Sequence, residues 1–176
     1  GLGISLIQSN YHGIGSTIGA GSAGFFLHDR GSGFSLEPGH PNELAPRKRP
    51  LHTLSPTLWT QDASLSMLLG TRGGDFQPQT LLQMSTYMLW AGRTADEAHL
   101  LPRWVTQEWR DGNSAVQHEP GYSEANLSRL NGLGHRLAAT GQPMAGWGPV
   151  SVITDTGDTG TGAADPRVAT TAALAT

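Results

Sequence analysis

The chain has 176 residues, a formal net charge of −3 and only 14% charged residues. This is the length of about one domain, without the basic surface by which proteins hold nucleic-acid phosphates. No apolar run reaches the length of a membrane-spanning helix. From the charge and from the apolar runs, neither nucleic acid nor a membrane is an expected partner. Cysteine is absent, which excludes disulfides and thiolate metal sites and leaves the redox compartment open.

Glycine and proline are abundant, with 24 and 11 residues, and this predicts many turns, few long helices and a strand-rich or mixed fold. We expect one domain over residues 1–176, with a flexible tail at 169–176. The chain starts at Gly1 without an initiator methionine and runs directly into an apolar stretch, so we expect it to be cut from a longer protein. Its compartment, cytoplasmic or extracytoplasmic, stays open.

The first third of the chain predicts two strands and a long loop. Residues 3–8 alternate like a half-buried strand, and residues 24–28 are typical of a more fully buried one. The glycine-rich loop at 13–22 leads into that second strand and not into a helix, which argues against a dinucleotide site. Residues 31–56 are mostly loop, and their polar side chains are functional candidates.

Residues 65–83 predict a buried strand, a tight turn and a helix start. The apolar run ends at Gly70, the turn contains Gly73 and Gly74, and Pro78 stands where a helix begins. Two adjacent glycines beside a helix N-terminus can present backbone amides to an anion or an oxyanion. The alternative is that these glycines only turn the chain.

The strand at 65–70 is predicted to pair with residues 57–60 around a turn at 62–63. Helices are predicted at 78–91, with a broad apolar face in the core, at 94–101 and at 122–133, the last capped by Ser123 or its neighbours. An extended course resumes at 103, and a strand is predicted at 147–154. The aspartate-rich and glycine-rich stretch at 155–162 indicates a solvated hairpin tip and fits no EF-hand calcium loop.

Five motifs occur along the chain in this order: Arg30 to Asn42, Lys48-Arg49-Pro50, Thr53 to Thr57, Gly70 to Gly74, and Ala164-Asp165-Pro166-Arg167. In this order and spacing they resemble the γ-glutamyltransferase small subunit, and the resemblance covers nearly the whole chain. Gly-Gly-Asp followed by Gln-Pro-Gln at 77–79 resembles the γ-glutamyltransferase-like branch, which includes oxamate amidohydrolase.

The resemblance implies an α+β fold, the αββα sandwich of N-terminal nucleophile hydrolases, with the first strand of the small subunit missing. Such a proenzyme cleaves itself to expose a threonine, which attacks an amide and forms an acyl-enzyme, with its own α-amino group as base. The implied partners are the large subunit and a small-molecule amide, with no cofactor or metal. The threonine aligns about ten residues before Gly1, so this chain alone is expected to be inactive.

Site residues are carried over by position. Gly73 and Gly74 match the oxyanion-hole glycines, and Ser9 matches a hydroxyl residue that supports the nucleophile. Thr53 matches the second of two serines that hold the substrate carboxylate. His52 stands at the first of these serines, where it either donates a hydrogen bond or has a structural role.

The departures from the family pattern concern the substrate. Gly33 and Tyr11 stand where the family has an aspartate and an asparagine for the α-amino group, and neither pairs with an ammonium. Arg30 replaces an amide residue and favours an acid group, unless it pairs with Asp29 or Glu37 at the surface. The sequence therefore favours an amidohydrolase or acyltransferase of the γ-glutamyltransferase-like branch. The alternatives are a true γ-glutamyltransferase (glutathione hydrolase) and an inactive fragment that acts only as a binding partner.

Overall fold

A computed structural model describes residues 2–108, 114–155, 157 and 159–174. The helices are α1 (Gln77–Leu89), α2 (Ala95–Leu100) and α3 (Glu124–Gly132). The strands are β1 (Thr57–Gln61), β2 (Ser64–Thr71), β3 (Trp104–Glu108), β4 (Ser114–His118), β5 (Leu137–Ala139), β6 (Val150–Asp155) and β7 (Gly160–Ala164). These elements confirm the α+β class. None of the helices in the described ranges is long and apolar enough to span a bilayer.

The described residues divide into two units. Unit 1 contains residues 2–6 and the described residues from Ser55 onwards, and unit 2 contains Ile7–Leu54. All the named strands and α-helices belong to unit 1, whereas unit 2 consists of loops and two short 3₁₀ turns, Gly21–Ala23 and Arg30–Gly33. The predicted long loop at 31–56 is thereby confirmed, and the assignment of a single domain stays a prediction.

The larger sheet of unit 1 has the strand order β1-β2-β6-β7, with antiparallel neighbours throughout. Asp62 and Ala63 turn the chain between β1 and β2 with φ of 50° and 64°, which confirms the predicted pair and its turn. β7 was not predicted, because its sequence is rich in glycine and alanine. Thr156 and Asp158, in the predicted hairpin tip after β6, lie outside the described residues, as do residues 175 and 176 of the predicted flexible tail.

The core of unit 1 lies between one face of this sheet and the helices α1 and α2. α1 starts at Gln77 with Pro78 in its first turn, as predicted, and Thr94 caps α2 through a capping box with Glu97. The apolar face predicted for α1 was too broad, since Leu82, Leu89 and Trp90 are exposed. The buried core residues are Met67, Leu69, Leu81, Met84, Ala95, Ala98, Val150, Val152 and Ala163.

A second sheet has the order β3-β4-β5, in which β5 runs parallel to β4. Ser123 caps the neighbouring helix α3 by accepting a hydrogen bond from the amide of Asn126 at 3.3 Å, which confirms the predicted cap. A cavity of about 320 Å³ remains between this sheet and α3. Its apolar lining includes Trp104, Val116, Tyr122, Leu127, Leu130 and Leu137.

Two predicted strands are wrong. Residues 3–8 contain no strand, and the apolar side chains of Leu2, Ile4 and Leu6 are 88%, 67% and 82% exposed, while Gly3 faces Leu65 of β2. Residues 24–28 form only an isolated bridge, with Phe26 opposite Gly19, and Phe26 is 46% exposed. Apolar alternation indicates an extended backbone, but pairing and burial require neighbours that a local pattern does not reveal.

Candidate active site

The Gly73–Gly74 turn connects β2 to α1 in unit 1. Gly73 has φ of 124° and Gly74 has φ of 58°, conformations that glycine adopts without steric cost. A 3₁₀ turn over Gly74–Phe76 leads into the helix, with the amide of Phe76 donating to Gly73 O at 3.1 Å. The predicted sequence of strand, turn and helix start is confirmed.

The two sides of this turn differ. An ideal Cβ on Gly73 would lie 2.6 Å from Trp147 O, whereas no atom lies within 4 Å of an ideal Cβ on Gly74. Within the described ranges, no group accepts a hydrogen bond from the amide of Gly73 or Gly74. Unsatisfied amides beside a helix N-terminus are suited to a negatively charged oxygen.

Tyr11 of unit 2 has φ of 78°, an uncommon conformation for a bulky residue. Its amide donates to Ser9 Oγ at 3.0 Å, and its ring lies against His12 with a centroid distance of 4.0 Å. The structure therefore brings Ser9 and Tyr11 together. Backbone strain of this kind concentrates at functional sites.

Arg30 is the buried cation of unit 2, with only 7% of its surface exposed. Its Nη1 and Nη2 atoms are both buried, and neither has a hydrogen-bond partner among the described residues. Its Cζ lies 5.1 Å from the centre of the Tyr11 ring, a cation–π distance. Buried charges in proteins are ordinarily paired, and at both of these nitrogens the guanidinium lacks such a partner among the described residues.

The surface ion pair considered for Arg30 is not formed. The carboxylate of Asp29 lies 2.9 Å from His12 Nδ1 and also accepts the His12 amide at 3.1 Å. In the part of the chain that the structure describes, no ion pair joins Arg30 to Asp29 or Glu37. Sequence reasoning missed His12, and no motif marks it; its position beside Tyr11 was the only available signal.

His52 and Thr53 directly follow Leu51, whose backbone packs against the Arg30–Gly33 turn. Leu51 O lies 3.2 Å from an ideal Cβ on Gly33, which brings this turn close to the backbone just before His52. His52 is exposed and Thr53 is half-buried. Gly33 does not have a positive φ, so its backbone is compatible with other residues.

Unit 1 contains a buried ionic cluster around Asp165-Pro166-Arg167, a motif singled out in the sequence. Arg103 Nη2 lies 2.7 Å from Asp165 Oδ2, and Arg167 Nε donates to Glu119 Oε1 at 2.8 Å. His99 Nδ1 lies 3.7 Å from Asp165 Oδ2. Sequence reasoning missed Arg103, Glu119 and His99, because a titratable side chain gives no local sign of burial.

The cluster fixes the charges of its members. Burial favours a raised pKa for Asp165, but Arg103 and the amides of Val150 and Arg167 outweigh burial and hold that pKa below its ordinary value. For Glu119, the effect of burial is likewise outweighed, chiefly by Arg167, and its pKa is lowered. Burial lowers the pKa of His99 despite the nearby Asp165, so this imidazole is neutral near pH 7.

The gamma-glutamyltranspeptidase family model matches residues 1–175. The chain belongs to the gamma-glutamyltranspeptidase family. It is 36% identical over 170 residues to the glutathione hydrolase-like YwrD proenzyme of Bacillus subtilis (strain 168), with 95% of this chain and 32% of that protein covered. It is 37% identical over 136 residues to the oxamate amidohydrolase proenzyme of Klebsiella pneumoniae, with 77% and 26% covered.

Solved structures also match the chain over nearly its whole length. The cephalosporin acylase from Bacillus halodurans is 31% identical with a TM-score of 0.82, covering 97% of this chain and 31% of that one. The gamma-glutamyltranspeptidase from Pseudomonas nitroreducens complexed with L-DON has a TM-score of 0.78 at 24% identity, covering 98% and 93%, and it supports the fold alone. The chain spans about a third or less of the length of the curated relatives named above.

Proposed function

We propose that this chain is the small-subunit part of an amidohydrolase or acyltransferase that cleaves an amide through a threonine acyl-enzyme. The threonine and the large subunit are supplied by the remainder of the same proenzyme. Support comes from the family membership and from two relatives whose names describe them as proenzymes. The 176 residues by themselves are then inactive.

The observation that carries this proposal is the Gly73–Gly74 turn. Its amides have no acceptor among the described residues, and the space around Gly74 is open. Attack on an amide carbonyl creates a negatively charged oxygen, and preorganised N–H donors stabilise such an oxygen in the transition state. The turn supplies these donors from a backbone packed on one side by Trp147.

Arg30 supports amides of simple carboxylic acids as the substrate class. The Arg30 guanidinium is buried and stacked on Tyr11, and Nη1 and Nη2 have no partner among the described residues. A guanidinium can hold a carboxylate through two parallel hydrogen bonds. Gly33 and Tyr11 offer no carboxylate to an α-ammonium. The proposed enzyme therefore prefers a glutaryl amide to a γ-glutamyl amide.

The test uses the full protein that the gene encodes, after maturation. We expect kcat/KM to be higher for glutaryl-p-nitroanilide than for γ-glutamyl-p-nitroanilide, and the isolated 176-residue chain to release no p-nitroaniline above a heat-treated control. Gly74→Ala keeps the backbone amide but places a Cβ on a residue with φ of 58°, which strains the turn and displaces its donors. We expect it to lower kcat by about 10-fold to 10²-fold, up to the loss seen when one oxyanion donor is removed.

Three outcomes contradict the proposal. Unchanged kcat in a mature Gly74→Ala enzyme removes the turn from the reaction. A clear preference for γ-glutamyl-p-nitroanilide contradicts the substrate class and favours a true γ-glutamyltransferase. Turnover by the isolated chain shows that the nucleophile lies within it.

A further inference from the structure

Residues 144–149 form a segment, here called the brace, that runs behind the Gly73–Gly74 turn within unit 1. Where the brace comes closest to the turn, Gly148 of the brace lies against Gly73 of the turn. The ideal Cβ of Gly73 would lie 2.6 Å from Trp147 O, and that of Gly148 would overlap Arg72 O and lie 2.5 Å from Thr71 Oγ1. Gly148 has φ of 105°. The two backbones are therefore in direct contact with no side chain between them.

The brace is bonded to the elements on either side of the turn. Thr71, the last residue of β2, places Oγ1 at 3.0 Å from Pro149 O. Thr80, a fully buried residue of α1, donates from Oγ1 to Trp147 O at 3.3 Å. Thr71 precedes the turn and Thr80 follows it. The brace is therefore bonded to both β2 and α1, the strand and the helix that the turn connects.

The ionic cluster also forms hydrogen bonds with the brace and with the residue that follows it. Glu119 Oε1 accepts the amide of Met144 at 2.7 Å, and Asp165 Oδ2 accepts the amide of Val150 at 3.0 Å. Arg103 Nη1 donates to Gly148 O at 3.0 Å. Buried carboxylates therefore hold Met144 at the start of the brace and Val150 directly after its end, and a buried guanidinium holds Gly148 near that end.

We propose that the brace sets the orientation of the Gly73–Gly74 peptides for catalysis, with Thr80 and Gly148 as positioning residues. This inference rests on the proposed oxyanion role of the turn. Neither residue touches substrate: Thr80 acts through Trp147 O, and Gly148 acts by letting its backbone lie against Arg72 and Gly73. Oxyanion stabilisation depends on donor geometry that is fixed before the reaction, so a turn released from its brace loses kcat more than substrate affinity.

The first test replaces the buried hydroxyl with a methyl group of similar shape. In the mature full-length protein, we expect Thr80→Val to lower kcat per titrated active site by about 10-fold, less than the 10²–10³-fold for losing a donor itself, with KM within about 3-fold. Thr80→Ser keeps the hydroxyl and is expected to restore kcat to within about 2-fold. Thr86→Val, an exposed position on the same helix, is the matched control and is expected to leave kcat unchanged.

The second variant is Gly148→Ala, which inserts a methyl group between the two backbones. We expect it to lower kcat further than Thr80→Val; if it fails to mature, the Thr80 variants still decide the question. Active-site titration separates the two kinds of effect, because a residue with only a structural role lowers the number of active sites and not kcat per site.

The outcomes separate the two proposals. If Gly74→Ala lowers kcat while Thr80→Val leaves kcat per site unchanged, the proposed positioning role of the brace is overturned and the oxyanion role stands. If Gly74→Ala has no effect, the oxyanion role fails and the brace fails with it. A loss in Thr80→Val that Thr80→Ser does not restore also overturns the brace, since the hydroxyl is then not the cause.

Discussion

Arg30 is a buried residue whose proposed role in binding the substrate would offset an unfavourable contribution to folding. Its guanidinium is buried, and among the described residues no group bonds Nη1 or Nη2. Desolvating a cation without a partner costs free energy, which the stacking on Tyr11 recovers only in part. A substrate carboxylate would complete the pairing that the protein leaves open.

The first prediction follows from this. We expect Arg30→Gln to lower kcat/KM for glutaryl-p-nitroanilide by about 10-fold to 100-fold relative to butyryl-p-nitroanilide, since a hydrogen bond to a charged group contributes about 1.5–3 kcal/mol. The free energy of unfolding should stay equal or increase, because a buried unpaired charge is removed. Steady-state kinetics and urea unfolding give the two readings.

The control for this prediction is Arg49→Gln, an exposed arginine of the same unit that should alter neither quantity. An equal loss of kcat/KM on glutaryl and butyryl substrates in Arg30→Gln would indicate a structural role for Arg30. A marked fall in stability would mean that the guanidinium has a partner in the full protein.

Among the elements, α3 and the small sheet are packed less completely than the core of unit 1. α3 has no fully buried residue, and the cavity of about 320 Å³ lies beside it. Leu127 and Leu130 reach the cavity from the helix, and Val116 and Leu137 reach it from the sheet. Apolar atoms that line such a space lack part of their dispersion contacts, so the small sheet has room for larger side chains.

The second prediction uses this room. We expect Val116→Ile to raise the free energy of unfolding by up to about 0.8 kcal/mol, because one added methylene enters the cavity. The same substitution at Val105, a fully buried residue in the neighbouring strand β3, should destabilise by about 1–3 kcal/mol through overpacking. Urea midpoints for the two variants check the contrast, and a destabilised Val116→Ile would mean that the cavity is already filled.

Local sequence signals predicted the elements whose causes are local. The positive-φ turn at Asp62 and Ala63, the glycine pair at 73–74 and the cap at Ser123 each depend on residues within a few positions. β5 was missed because three residues become a strand only by parallel pairing with β4. The sequence also did not reveal that Arg30 lacks an ion pair with Asp29, because the Asp29 carboxylate pairs with His12.

For the whole molecule, the buried ionic cluster makes stability depend on pH. The pKa of His99 is lowered in the folded state, so the unfolded chain binds its proton more tightly. The unfolded state therefore gains protons first as the pH falls through about 6.5, and stability must decrease there. Asp165 and Glu119 have lowered pKa values, so their contribution is present above the ordinary carboxyl range and is lost at more acid pH.

The third prediction is that the free energy of unfolding decreases between pH 7.5 and 5.5, and that His99→Gln makes this decrease smaller. Urea unfolding at several pH values measures the slope, which reports the difference in bound protons between the unfolded and folded states. His40→Gln, at an exposed position, is measured beside it as the matched control. An unchanged slope in His99→Gln would show that His99 is protonated to the same extent in both states.

The contact between the brace and the turn also has a consequence for protein synthesis. Thr71 and Pro149 are 78 residues apart, so the ribosome makes the turn long before it makes the segment that supports it. At about 5–20 residues per second, that interval is roughly 4–16 s, and Asp165 and Arg167 emerge later still. A nascent chain thus carries Gly73 and Gly74 before the brace that contacts them exists, and the Gly73–Gly74 turn is among the last parts of unit 1 to be assembled.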